Sequence, residues 1–184
     1  MEKNLEKKRP SLEAVALHEN TKVVTGFMKS FAISFEEAAE IFDQVKKMLW
    51  LINEMEFEGL KNENRMFSID SSLLVIDEMW HTFILFTRDY RKFCFDHFGY
   101  FIDHVPTVGT ESEVIERFAE LSALGEDERN ARIMDEKRWQ YTYVFQKLGK
   151  DCFLKWYQVF HQKYTRFYLA ELRMQAIQIK YTNS

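Results

Sequence analysis

The 184-residue chain is 46% hydrophobic and 16% aromatic, with only six glycines and two prolines, which excludes a disordered chain and a loop-rich β-sandwich. Its formal charge of −4 is unevenly spread: residues 11–149 carry 15 Lys/Arg against 25 Asp/Glu, residues 150–184 carry 6 against 2, and residues 1–10 carry 4 against 2. Basic ends on an acidic body suit packing of the ends on the body or contact with an acidic partner, whereas a nucleic-acid binder would show a larger clustered basic excess.

In chain order, residues 1–10 read as a solvated, flexible tail closed by Pro10, and residues 11–184 as one helical domain. A first helix is expected from about Leu12 to Phe31, weakened in its middle by Gly26. Ser34-Phe35-Glu36-Glu37 is a capping-box pattern, in which the Ser34 hydroxyl and Glu37 carboxylate satisfy amides at a helix start. Ala38, Ile41, Val45, Leu49 and Ile52 follow at helical spacing, so a second helix should end near Glu56. The polar stretch Phe57–Phe67 is a connector. Ser68 or Asp70 can cap a third helix running unbroken to Phe98, because no Gly or Pro stands between Asp70 and Gly99. Gly99 suits its C-terminal cap, and Pro106 delays the next helix. Shorter helices are expected from Thr110 to Leu124 and from Asp127 to Leu148. Asp151 should then cap a long last helix bearing Phe153, Trp156, Tyr157, Phe160, Tyr164, Phe167, Tyr168 and Leu172, an aromatic ridge that belongs in a core. The expected fold is a single compact all-α bundle of five to six helices. The Asp70–Phe98 helix, as the most apolar, should lie at its centre with the last helix laid against it.

No apolar run approaches the roughly 18 residues of a membrane span, and no hydrophobic segment follows the charged amino terminus. Cys94 and Cys152 are too few for a disulfide framework and fall in apolar helical patterns, so a reducing, cytoplasmic setting is the simplest expectation.

Chemistry concentrates between Ile69 and Pro106, which holds three of the five histidines and one of the two cysteines. Asp77 and His81, four apart, share a helix face, where they can hold one ion or the carboxylate can orient the imidazole. Their plainer reading is a helix-stabilising pair. Cys94, His97 and His104 make a local trio of borderline-soft donors suited to zinc or a similar ion. Against that stands the reading of Cys94 and His97 as ordinary core residues. On one unbroken helix His81 and Cys94 are about 20 Å apart along the axis and about 220° around it, so they cannot share an ion. Only a fold-back near Thr87 would bring His81 toward His104 or Cys94. A mid-helix Cys94 lacks the amides that stabilise a thiolate, and the chain has no Gly-rich phosphate loop, no Gly-x-Ser-x-Gly and no His-Glu-x-x-His.

Ile76-Asp77-Glu78-Met79-Trp80-His81, with Tyr90 to Cys94, Phe98-Gly99 and His104-Val105-Pro106, resembles the glycine-rich domain-containing protein-like family over residues 69–106. By that likeness Asp77, Trp80, His81, Tyr90, Cys94 and Gly99 match motif positions, and His104 is similar to a histidine that precedes a proline in bacterial-type relatives. Phe83 stands where many relatives carry a second histidine, and the glycine-rich extension is missing. The resemblance implies a shared fold segment and no particular activity.

Two functions follow as expectations. The first is a non-catalytic helical module that binds a protein partner, with no cofactor, no membrane and no nucleic acid. The second is a metal-binding protein or metal-dependent enzyme using His81, Cys94, His97 and His104, with Asp77 and Tyr90 supporting them from behind. Oligomeric state is not readable from the residues.

Overall fold

Helix α3, Phe35–Phe57, forms because Ser34 caps it and apolar residues recur along one face. The Ser34 hydroxyl accepts the Glu37 amide at 3.1 Å, and Ile41, Val45, Met48 and Leu49 are wholly buried. In the computed structural model, which describes residues 6–60, 65–104 and 119–182, α3 is the central rod. Helices α1 (Leu12–Ala16), α2 (Thr21–Met28), α4 (Leu74–Leu85) and α6 (Glu126–Leu154) all pack on it, and α5 (Thr87–His97) packs on α4. A π-helical stretch, Lys155–Phe160, continues α6 into the single turn α7 (His161–Lys163), and α8 (Arg166–Thr182) closes the described chain. No strand occurs among the described residues, and no described helix is long and apolar enough to cross a membrane.

The all-α architecture is as expected, but the described residues hold eight α-helices rather than five to six, and α3 takes the centre instead of the Asp70–Phe98 segment. The count rises because three expected helices are interrupted. Between α1 and α2 the buried Lys46 ammonium donates to the carbonyls of Ala16 (2.6 Å) and His18 (2.8 Å) and pairs with Asp43 at 2.7 Å. This satisfies the end of α1, and Asn20 caps α2 through the Val23 amide. The expected last helix breaks at Tyr164, whose ψ of 59° is non-helical and whose hydroxyl donates to Glu37 at 2.5 Å. Glu37 therefore serves Tyr164 and Lys163 rather than the capping box. Gly149, at φ 79°, bends α6 where a helix end was expected, and Tyr141 meets Phe153 and Tyr157 across the bend. The expected Thr110–Leu124 helix lies mostly outside the described residues; 119–123 are helical.

The third interruption matters most for the site. Helix α4 stops at Phe86, which has ψ 57°, and α5 starts at Thr87. No Gly or Pro causes this. The Phe86 ring is seated on Gly26 of α2, so closely that a Cβ on Gly26 would lie 2.6 Å from it.

Residues 6–9 are exposed, as a solvated tail would be, yet hydrogen bonds tie residues 8–10 to the body. The Lys8 amide donates to Phe98 O at 2.7 Å and the Lys8 ammonium to Asp96 O at 3.0 Å. Trp50 Nε1 donates to Pro10 O, and Asn53 Nδ2 to Lys8 O. This strap approaches Gly99 so closely that a Cβ there would meet Glu6 O at 2.2 Å. With φ at 79°, Gly99 also supplies the left-handed turn that ends α5, its amide bonding Cys94 O. Residues 1–5 lie outside the described part.

Candidate metal centre

Asp77 stands in the first turn of α4, where the helix dipole favours a carboxylate, and His81 lies one turn on along the same face. His81 Nδ1 is 3.5 Å from Asp77 Oδ2. The turn after α5 then carries the chain back over α4, and His104 Nε2 comes to 2.9 Å from Asp77 Oδ1. The His81 and His104 rings lie 4.4 Å apart. One donor atom from each of the three residues falls within 4.8 Å of the others, the one such group of metal-ligand type among the described residues.

The floor beneath His104 is built from the helix fold-back. The Trp80 ring lies 4.3 Å from the His104 ring. Trp80 Nε1 donates to the Tyr90 hydroxyl at 3.0 Å, and that hydroxyl donates to Ile102 O at 2.7 Å, two residues before His104. Trp80, Tyr90 and Ile102 are all buried, so this chain of bonds spans α4, α5 and the returning segment in a water-excluded setting. Without the break at Phe86, Tyr90 could not reach back to Trp80.

The sequence candidates divide cleanly. His81 and His104 come together, as only the fold-back permits, and Asp77 lies within reach of both. Cys94 and His97 lie outside the group. Cys94 is fully buried beside Tyr90 and the Ile102 backbone, and burial pushes its thiol up, which makes it a core residue rather than a thiolate ligand. His97 turns toward His18, at 5.5 Å between rings, and Phe93, at 4.9 Å; burial lowers both imidazoles, His18 to about 4. Tyr90, expected to support the ligands directly, bonds Trp80 and the Ile102 backbone instead. Trp80 as the surface under His104 was missed, although its position next to His81 in a Trp-His pair was the available signal. Val105 and Pro106 lie outside the described residues.

Two imidazoles and a carboxylate from three positions form a donor set that suits zinc or iron(II), leaving part of the coordination sphere open. Residues 43–118 match a family model described as UCP032817-like. That stretch takes in most of α3, all of α4 and α5 and the three donors, and it contains the 69–106 segment of the motif resemblance. No curated protein and no solved structure matches the chain. The family description names no activity, so function is argued from geometry.

Proposed function

We propose that this protein binds one divalent transition-metal ion, of zinc type, through Asp77, His81 and His104. The observation that carries the reading is the convergence of three donor atoms from two separate elements within 4.8 Å. The imidazole nitrogens of His104 and His81 approach the two different oxygens of the Asp77 carboxylate, at 2.9 Å from Oδ1 and 3.5 Å from Oδ2, so the carboxylate faces both rings. The shell closes with a small turn of His81, whose side chain is half exposed and free to adjust. His104 is held on Trp80 and anchored through Ile102, the outer support that ligating histidines ordinarily have.

The exposed side of His81 leaves the remaining position facing water. A site of three protein ligands and a solvent-facing position is of the open kind that lowers the pKa of bound water or accepts a further ligand, not the closed four-ligand kind that only staples a fold. In the ion-free protein the Asp77 carboxylate accepts from His104 Nε2–H. An ion bound at Nε2 therefore takes the place of that hydrogen bond, with the imidazole proton carried on Nδ1 instead.

The test is zinc titration by calorimetry of chelator-treated protein, with metal content measured on protein purified without chelator. About one equivalent is expected, lost in His104→Ala and Asp77→Ala and kept in Cys94→Ser and His97→Ala, each checked by circular dichroism. Absence of zinc binding in the folded wild type, or binding that survives His104→Ala, defeats the assignment.

A further inference from the structure

Helix α8 carries two apolar faces. Leu169, Leu172 and Ala176 are buried against the body. At about 100° per residue, Phe167, Ala170, Met174, Ile177 and Tyr181 form a second stripe nearly opposite. There Phe167 is 83% exposed, Met174 58%, Ile177 48% and Tyr181 78%. The spacing of 3, 4, 3 and 4 residues is that of the a and d positions of a heptad seam, which is more regular than scattered surface apolar residues. The earlier expectation placed Phe167 in the core ridge; the break at Tyr164 rotates it out.

We infer that this stripe is a self-association surface, joining two copies of the chain through a short parallel pairing of their α8 helices. Charge placement selects the occupant. Arg166, Arg173 and Lys180 run along one edge of the stripe, and Glu171 and Gln178 along the other. In a parallel pair each edge residue faces the residue five positions on in the partner helix. Arg166 of each copy then meets Glu171 of the other, and Arg173 meets the uncharged Gln178. An antiparallel pair would set the basic edges against each other. Arg173 is in addition already neutralised by Glu78 of its own chain, which lowers repulsion across the seam.

Area is adequate for a weak dimer. Four large side chains exposed to this degree offer on the order of 500 Å² per helix, so a pair buries about 1,000 Å², the lower limit of specific interfaces. Association in the micromolar range is therefore expected.

The experiment is sedimentation velocity of the full chain between about 2 and 200 μM. Wild type should shift from monomer to dimer across that range. Met174→Glu combined with Ile177→Lys should weaken association at least 100-fold while leaving the thermal melt unchanged, since both positions face water. Arg166→Glu should weaken it, and Arg166→Glu with Glu171→Arg should restore it, because the swapped pair is again complementary. A monomer at 200 μM overturns the inference. So does a dimer indifferent to the Met174 and Ile177 changes, or a monomeric chain whose stripe instead binds phosphatidylcholine–phosphatidylserine vesicles.

Discussion

Replacing Tyr90 with Phe isolates the bond network that holds His104 in place. The ring still fills the same fully buried volume, so no cavity term arises. What goes is the hydroxyl that accepts from Trp80 Nε1 and donates to Ile102 O. An unpaired buried polar group costs about 1–3 kcal/mol, and two are created here. Local relaxation offsets part of this, which puts the expected loss at about 2–4 kcal/mol. The measurement is urea unfolding followed by tryptophan fluorescence and far-UV circular dichroism, with the slope compared to wild type so that a change in midpoint can be read as stability. Ile102 also loses its tether, so the segment carrying His104 loosens and zinc affinity should fall about 10-fold or more, the usual effect of removing an outer-shell partner. A stability change under about 0.5 kcal/mol would refute the network. Full loss of stability with zinc affinity intact would show that it does not position His104.

Stability should fall as pH drops from about 6.5 to about 4. His18 is lowered to about 4 by burial first, then by His97 and Lys46, with Lys92 acting the same way and Asp96 opposing. The unfolded chain therefore takes up the proton first, and the contribution is complete above about 6.5 and gone near 4. Full desolvation would make this about 3 kcal/mol, and partial exposure reduces it to about 1–2 kcal/mol; across that window wild type should lose about this much stability relative to His18→Leu, read from unfolding curves at each pH. Gly26→Val should cost about 1–3 kcal/mol by pushing the Phe86 ring off α2, measured by thermal melt, whereas an unchanged melt would mean that Phe86 can swing away freely. A 1–150 fragment should be insoluble or molten, because Trp156, Phe160 and Tyr164 are buried and Trp156 Nε1 bonds the buried Gln44 on α3; cooperative unfolding of that fragment would show the remainder to be an appendage.

The sequence by itself determined the helical class, the Ser34 start of α3 and the Gly99 end of α5. Each rests on local chemistry: a hydroxyl that caps, a glycine that alone tolerates positive φ, or apolar residues in a repeating pattern. Only tertiary structure decided the helix breaks. Lys46 draws in the carbonyls at the end of α1, and the ring of Phe86 seats on Gly26 sixty residues away in sequence. Such contacts leave no mark in the local pattern of either partner. The candidate site depends on the second of them: once α4 and α5 fold together, Tyr90 reaches Trp80 and Ile102, and His104 reaches Asp77. Spacing alone could pair Asp77 with His81 and could group Cys94 with His97. Which pair His104 joins is set by the direction of the chain after Gly99, and packing against Trp80 sends it to Asp77.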